Sequence, residues 1–441
     1  MSHVFPRQIN APPIKAVASN GCYIFDDSGN RYLDGSGGAA VSCLGHADPE
    51  VVQAIQDQTS KMAFAHTGFF SSDPAEELAE LLIKYAPGDL DRVYFVSGGS
   101  ESIEAAIKLA RQYHIENGEP NRRHIIARRQ SYHGNTLGAL AAGGNKWRRD
   151  QFEPILINVS HIAPCYEYID KSNQEKTYEY GQRVAQELED EILGLGSDTV
   201  MAFIVEPVVG ATMGAVPAVQ GYFNRIEEVC KKYGVLLILD EVMCGMGRTG
   251  YLYAAEADNI SPDILCIAKG LGAGYQPIGA MLCTKKIYDV IGGGTGFFQH
   301  GHTYMGHPVA CAAGLAVVQA IIDRDLLKSV KQRSAQLLNE LKNQFNTHLN
   351  VGDIRGRGLF IGLELVKDRD TKKPFDPSLK IAANIKRSAF EAGLICYPMS
   401  GTRDGKWGDH ILLAPPFIID EKQVVELVEK VAVSLNYLKN I

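Results

Sequence analysis

Several features that would assign a class of protein are missing from this 441-residue sequence. Its 44 Lys and Arg residues do not outnumber its 51 Asp and Glu residues, and a net charge of −7 does not favour a nucleic-acid surface. No apolar run approaches the ~18 residues of a bilayer span, and residues 1–15 contain no apolar stretch typical of a secretory signal. We therefore expect no nucleic-acid partner and no membrane partner.

The cysteines give no sign of a disulfide framework or a zinc site. There are nine, an odd number, and no two form a Cys-x-x-Cys pair. Such scattered cysteines are typical of core residues in a reducing compartment, so we expect a cytoplasmic protein. Histidines and carboxylates show no metal-ligand spacing either, and no metal is expected.

One nucleotide-binding pattern is present, in a context that argues against it. Residues 245–250 (GMGRTG) match G-x-G-x-x-G, the dinucleotide fingerprint. The preceding apolar strand ends well before the first glycine, and the residues that follow form a poor helix. A nicotinamide-dependent dehydrogenase therefore stays only a rival hypothesis.

The pattern of apolar segments predicts an α/β fold. Residues 21–35 indicate a hairpin, and a helix is expected from Pro49. From residue 72 onward, short buried strands (92–97, 124–129, 154–159, 200–207, 235–242 and 263–269) alternate with helices, which favours a mostly parallel sheet. A long helical stretch, 308–345, precedes strands at 358–366 and 410–419 and two further helices. We expect residues 1–65 to join residues 307–441 in a smaller α+β domain, with residues 66–306 forming the large domain.

Three short segments contain residues that are typical of binding or catalytic sites. Residues 97–100 (SGGS) join a strand to a strong helix, and the free N–H groups of such a helix start suit a phosphate; a simple turn with Ser100 as N-cap is equally compatible. Asp240 ends an apolar strand, where a buried carboxylate needs a cation or a strong donor, although it could instead cap a turn or pair with Arg248. Lys269 ends the next strand and precedes a glycine-rich stretch.

Pyridoxal phosphate needs these three groups together. Its phosphate needs an anion site, its pyridine nitrogen needs a carboxylate, and its aldehyde needs an amine for a Schiff base. We therefore interpret Lys269 as an amine nucleophile rather than a lysine that extends to water.

The sequence also resembles a known family, the class III (omega or ornithine-type) aminotransferases of PLP fold type I. The resemblance covers almost the whole chain, in seven blocks: GNRYLDGSGGAAVSCLGHADPEV, SGGSESIEAAIKLAR, SYHGNTLGAL, IVEPVVG, LLILDEVMCGMGRTG, PDILCIAKGLGAGYQPIGA and HGHTYMGHPVACAAGLA. A large domain with a seven-stranded-type sheet is the fold that it implies.

The resemblance also implies roles for individual residues. Gly99 and Ser100 would hold the phosphate, and Tyr132 and Val242 would pack on the two faces of the pyridine ring. Asp240 would bind the ring nitrogen with Glu206 beside it, and Lys269 would form the Schiff base and move protons. Thr303 would reach the phosphate bound by the other subunit, which implies a homodimer with shared sites.

Three positions bear on the substrate. Where amine-type members of the family often carry a tryptophan, this sequence has Ala40, which should open one subsite. Arg403 and His410 lie in a loop that is near the site entrance in the family. Arg403 could bind a substrate carboxylate with two hydrogen bonds, or it could be a solvated loop residue. A separate departure from the family is residue 103, which is isoleucine here where asparagine is usual.

The function implied is transamination by ping-pong chemistry. A primary amine, diamine or omega-amino acid would donate the amino group, and pyruvate or 2-oxoglutarate would accept it. An aminomutase or a dialkylglycine-type decarboxylase of the same family remains possible at this stage. A non-catalytic cofactor-binding protein would predict loss of the lysine or the aspartate, and both are present.

Overall fold

A seven-stranded sheet lies at the centre of the structure, a computed structural model that describes residues 3–441. Its strands, in spatial order, are Leu90–Val96, Gly279–Thr284, Ile264–Ile267, Leu236–Asp240, Val200–Val205, His124–Arg128 and Ser160–Ile162. Gly279–Thr284 runs antiparallel to both of its neighbours, and the other six strands run in one direction. The expectation of a mostly parallel α/β sheet is therefore confirmed.

The central strands are apolar on both faces because helices cover the two sides of the sheet. All residues of Val200–Val205 and Leu236–Asp240 are buried, as expected for parallel strands between helical layers. The helices of the structure are Gly37–Ala40, Pro49–Lys61, Asp73–Lys84, Gly99–Glu116, Leu137–Ala142, Lys146–Arg149, Glu167–Asp170, Thr177–Leu195, Tyr222–Tyr233, Lys285–Gly293, Pro308–Asp323, Leu326–Phe345, Ile381–Glu391 and Glu421–Leu435. Short 3₁₀ turns occur at Glu153–Ile155, Ala254–Asp258, Lys269–Leu271, Pro377–Leu379 and Asn436–Asn440.

The two ends of the chain meet in smaller sheets beside the central one. Ala16–Asn20, Tyr23–Asp26 and Arg31–Asp34 form a meander, and Leu394–Ile395 pairs in parallel with its last strand. An antiparallel sheet of the C-terminal part contains Val351–Gly356, Ile361–Leu365, Asp409–Leu413 and Tyr397–Ser400, and a two-stranded ribbon joins Val208–Val209 to Val216–Pro217. The domain boundaries at 65/66 and 306/307 stay a prediction.

Three details differ from the sequence-based prediction. The strand expected at residues 154–159 is absent; Ile155 and Ile157 are exposed there, and the edge strand is Ser160–Ile162. The antiparallel strand Gly279–Thr284 was not predicted, because its apolar pattern follows the glycine-rich stretch without a break. The helical stretch 308–345 is two helices, since Asp325 adopts a left-handed φ of 51° between them.

Two global features of the described chain bear on function. No helix among residues 3–441 combines the length and the hydropathy of a bilayer span. All nine cysteines are buried with free thiols.

Candidate active site

Three chemically important side chains follow three adjacent strands of the central sheet. Glu206, Asp240 and Lys269 lie at or just beyond the carboxyl ends of these strands. Because the three strands are parallel, their carboxyl ends lie at one edge of the sheet. All three residues line one cavity of about 480 Å³.

Lys269 begins a 3₁₀ turn with a backbone φ of 45°, an uncommon conformation for a residue with a side chain. Burial lowers the pKa of its ammonium group, and the nearby carboxylates of Asp240 and Glu206 act in the opposite direction. A lowered pKa increases the fraction of neutral amine, which is the nucleophilic form.

Asp240 is buried, and its carboxylate has two neighbouring donors. The Nδ1 of His133 lies 2.8 Å from Oδ2, and the backbone N–H of Val242 donates to Oδ1 at 3.0 Å. His133 is itself buried, and its Nε2 has no hydrogen-bond partner among the described residues. The histidine therefore orients the carboxylate while Asp240 still lines the cavity.

Arg248, the alternative partner considered for Asp240, is engaged elsewhere. Its buried guanidinium donates to the carbonyl oxygens of Leu359 at 3.0 Å and Pro415 at 2.5 Å, and it lies 4.6 Å from the ring centre of Phe417. The arginine of the GMGRTG segment thus ties the central domain to the C-terminal part of the chain.

Glu206 connects the sheet edge to the segment that carries Tyr132. Its carboxylate accepts hydrogen bonds from the backbone N–H groups of Gly210 at 3.1 Å and Tyr132 at 3.4 Å. Burial raises the pKa of Glu206 to about 7; His133 opposes this rise and Asp240 adds to it. The Tyr132 backbone is therefore held beside the cavity that its side chain lines.

The start of helix Gly99–Glu116 forms a cradle for an anion. Gly98, with extended backbone, is the N-cap residue, and no side chain from residues 3–441 caps this helix. Ser100 is therefore not the N-cap; its hydroxyl accepts from the Asn135 N–H at 3.0 Å and donates to the Asn135 side chain at 2.8 Å. Uncapped N–H groups and the partial positive charge of a helix start suit a phosphate.

Two glycines keep this cradle open. A Cβ on Gly99 would lie 2.7 Å from Val242 Cγ1, and a Cβ on Gly134 would lie 2.6 Å from Ser100 Oγ. Gly134 also has a φ of 148°, which side chains rarely allow. Glycine at both positions leaves space beside Val242 and Ser100.

A second cavity of about 720 Å³ adjoins the first and shares Tyr132 and Lys269 with it. Ala39 lines this cavity. Ala40, expected to open a substrate subsite, does not line this cavity; it is 3% exposed and packs in an apolar cluster. Its φ of 62° turns the chain at this point, and the neighbouring residue lines the cavity instead.

The remaining predicted residues lie outside both cavities. Thr303 is exposed in a turn. Arg403 is partly buried and donates to the carbonyl oxygen of Lys372 in the C-terminal part. His410 is buried between Thr402 Oγ1 at 2.7 Å and the Ala211 carbonyl oxygen at 3.1 Å, and burial lowers its pKa to about 3.

The structure also identifies residues that the sequence analysis did not single out. His133 follows Tyr132 directly, so its position within the same motif was a usable signal. Arg148 lies over the Tyr132 ring, with its guanidinium carbon 4.5 Å from the ring centre. No motif marks Arg148, because the contact depends on how helix Lys146–Arg149 packs.

This set of residues fits pyridoxal phosphate. The glycine-lined helix start suits its phosphate, the oriented Asp240 suits its ring nitrogen, and Lys269 suits its aldehyde. Seven of the predicted cofactor residues line the same cavity: Gly99, Ser100, Tyr132, Glu206, Asp240, Val242 and Lys269. Fold and site together define a pyridoxal-phosphate-binding protein of the α/β class.

Comparison with known proteins agrees with this class. The family model described as aminotransferase class-III matches residues 4–435. An uncharacterized aminotransferase of Schizosaccharomyces pombe is 46% identical over 434 residues, covering 97% of this chain and 94% of that protein. The crystal structure of a thermostable (S)-enantioselective omega-transaminase from Thermomicrobium roseum is similar at a TM-score of 0.92 and 36% identity, covering 99% of this chain and 96% of that one.

The omega transaminase from Pseudomonas jessenii in complex with PMP is similar at a TM-score of 0.93 and 31% identity, covering 100% of this chain and 97% of that one. The chain belongs to the class III aminotransferase family. It has PLP fold type I, its cofactor is pyridoxal 5'-phosphate, and the protein is an aminotransferase.

Proposed function

We propose that this aminotransferase transfers the amino group of a primary amine, a diamine or an omega-amino acid to pyruvate or 2-oxoglutarate in ping-pong order. The observation that carries the proposal is the position of Lys269, whose side chain lines both the cofactor-type cavity and the larger cavity beside it. A single amine can therefore act on the cofactor and on the substrate.

The chemistry follows from the side chains around Lys269. When bound, pyridoxal phosphate supplies an electron sink that acidifies the C–H bond beside the substrate nitrogen. The Lys269 Nζ takes this proton as a general base and later returns one as a general acid. Asp240, oriented by His133 and by the Val242 N–H, presents a carboxylate to the ring nitrogen.

The larger cavity supports binding of donor and acceptor in turn. It has a volume of about 720 Å³ and lies beside Tyr132 and Lys269. Ping-pong chemistry needs only one substrate cavity, since the first product leaves before the acceptor enters. The apolar side chains of Leu140, Phe152 and Met243 in its wall would exclude water from the substrate body.

A panel of amine donors against pyruvate and 2-oxoglutarate tests this function. We expect alanine or glutamate to form in step with the carbonyl product of the donor. Carbon dioxide release from the donor, in step with alanine or glutamate, would indicate a decarboxylase of the dialkylglycine type, and isomerisation of the donor alone would indicate an aminomutase. A protein that binds the cofactor but gives no product with any donor would contradict the proposal.

We also propose a homodimer in the cytoplasm whose active sites are shared. Phe69, Phe70, Phe297 and Tyr304 are large, exposed aromatic side chains. The rings of Phe64 and Tyr304, both exposed, lie 6.1 Å apart, so aromatic side chains from two distant parts of the chain lie next to each other on the surface, and exposed apolar patches favour association. Thr303 is exposed and directly precedes Tyr304 in the sequence. The nine free, buried cysteines support a reducing compartment.

A further inference from the structure

The charged side chains around the larger cavity are all positive among the residues that the structure describes. The guanidinium groups of Arg7 and Arg148 line it, and no Asp or Glu within residues 3–441 lines it. Apart from Lys269, the rest of its wall is apolar or neutral. A cavity bordered by positive charges attracts an anion, because its low-dielectric walls concentrate the electric field of those charges.

Arg148 is the cation best placed to meet that anion. Its guanidinium lies 4.5 Å from the Tyr132 ring centre and 5.7 Å from the Trp147 ring centre. Its Nε is buried and has no hydrogen-bond partner among the described residues. The Nε atoms of Arg128, Arg248 and Arg403 share this property, but of these four arginines Arg148 alone lines the larger cavity. A buried donor without a partner is costly unless a ligand completes it.

The position of Arg148 is set by its short helix. Helix Lys146–Arg149 begins at Asn145, whose side chain accepts from the Arg148 N–H. The neighbouring Arg149 is engaged by the backbone, donating to the Gly143 carbonyl oxygen at 3.0 Å. Arg148 alone of the two lines the cavity.

We propose that Arg148 is the substrate-specificity residue of this site and binds the carboxylate of the amino donor and of the 2-oxo acid. The inference rests on the proposed function and narrows its substrate class. The donors are amino acids, in which a carboxylate is joined to the reacting amine, and diamines are poor substrates. Arg403, the carboxylate-binding candidate from the sequence, is instead bound to the backbone at Lys372.

Electrostatics explains the exclusion of diamines. The second ammonium of a diamine would lie near the guanidinium groups of Arg7 and Arg148, and like charges at close range repel. Besides burial, which is the main cause, the charge of Arg148 contributes to lowering the pKa of Lys269. A carboxylate at Arg148 neutralises this charge in the complex.

The test compares three donors of equal chain length with the holoenzyme: 4-aminobutanoate, butan-1-amine and 1,4-diaminobutane. The first half-reaction is followed by the cofactor's absorbance without an acceptor, so that no 2-oxo acid competes. For the wild type we expect tighter binding of 4-aminobutanoate than of the other two. Arg148→Gln should weaken it about 10- to 100-fold, the range of a lost charge-assisted contact, and Arg148→Lys should recover part of that loss.

A non-reacting carboxylate provides a readout besides activity. Butanoate, titrated calorimetrically into the holoenzyme, should bind the wild type. The affinity for butanoate should fall in Arg148→Gln by a factor similar to that expected for 4-aminobutanoate. Lys146→Gln is the matched control, because it removes one positive charge from the same helix at an exposed position outside the cavity. This variant should bind all three donors and butanoate with the affinities of the wild type.

Three outcomes would overturn the inference. They are unchanged butanoate and 4-aminobutanoate affinity in Arg148→Gln, an equal loss for all three donors, or a wild type that prefers 1,4-diaminobutane. Failure of the proposed function is distinct, since the wild type would then convert no donor while the calorimetric titration with butanoate still reports on Arg148.

Discussion

At the scale of the residue, Lys269 combines strain, burial and charge. Its positive φ places it in a conformation that residues with side chains rarely adopt. Burial lowers its pKa against the opposing effect of two carboxylates. Strain of this kind costs of order 1–3 kcal/mol and is common at functional positions.

Replacement of Lys269 tests its role as the amine nucleophile. We expect Lys269→Ala to abolish turnover, because no other amine lines the cofactor-type cavity among the described residues. Cofactor binding should persist, since the contacts expected for the phosphate and the ring remain. Steady-state kinetics and the visible spectrum measure the two effects, and full turnover in this variant would contradict the assignment.

The Asp240–His133 pair leads to a second prediction. Asp240→Asn keeps the size of the side chain but removes the charge that stabilises a protonated ring nitrogen. We expect turnover to fall at least about 100-fold, about 2.7 kcal/mol of barrier. A single-turnover measurement with saturating donor isolates this step. Near-normal turnover would mean that Asp240 is structural.

Glu206 should make stability depend on pH. Burial raises its pKa from 4.5 to about 7, so between these pH values the folded protein holds a proton that the unfolded chain has released. Its contribution to the unfolding free energy therefore falls as the pH rises through this window and stays low above it.

Glu206→Gln removes this titration, so the stability of the variant relative to wild type should increase between about pH 5 and about pH 8. Denaturant unfolding of both cofactor-free proteins across that range measures the difference. A difference that does not change with pH would show that Glu206 does not titrate in the window.

At the scale of the element, the start of helix Gly99–Glu116 is the part most sensitive to added atoms. A Cβ at Gly99 would lie 2.7 Å from Val242 Cγ1, whereas a Cβ at Gly98 would have no atom within 4 Å. Valine is stiff about its first side-chain bond, so it cannot easily move aside. The two adjacent glycines therefore differ in whether their position can accept a side chain.

We expect Gly99→Ala to weaken pyridoxal phosphate binding by about 1–3 kcal/mol, the cost of crowding a packed site. Gly98→Ala is the matched control and should bind nearly as wild type, because the extended backbone at Gly98 is open to any residue. An absorbance titration of the cofactor-free proteins gives both affinities. Equal affinities for the two variants would rule out the crowding argument.

At the scale of the whole molecule, the proposed dimer links assembly to cofactor binding. Thr303 is exposed and lines neither cavity of its own chain. If it donates to the phosphate bound by the other subunit, each site is complete only after association. The cofactor then stabilises the dimer by mass action, since it binds the associated form better.

Thr303→Ala should weaken cofactor retention by roughly 1–2 kcal/mol, the scale of one hydrogen bond to a charged group. Dilution should then release cofactor and monomers together. Sedimentation velocity of cofactor-free and holo protein at low concentration measures both, with the exposed Thr347→Ala as a control. A holo protein that is monomeric and fully active would exclude a shared site.

The sequence determined the alternation of strands and helices and the order of the chemical segments. Apolar runs such as 236–239 form central strands, in which helices on both sides of the sheet bury them. A strand-end carboxylate and a strand-end lysine on adjacent strands therefore lie at one edge of the sheet, and they line the same cavity. These conclusions follow from local pattern and the geometry of parallel strands.

Only the tertiary structure decided which side chains lie next to one another across distant segments. The contact of His133 with Asp240, the position of Arg148 over Tyr132 and the replacement of Ala40 by Ala39 at the cavity wall are of this kind. Each depends on packing angles and backbone turns that no local pattern encodes, such as the φ of 62° at Ala40. The physical reason is that hydrophobic periodicity specifies which face of an element is buried, whereas contacts within a site depend on the packing of whole elements.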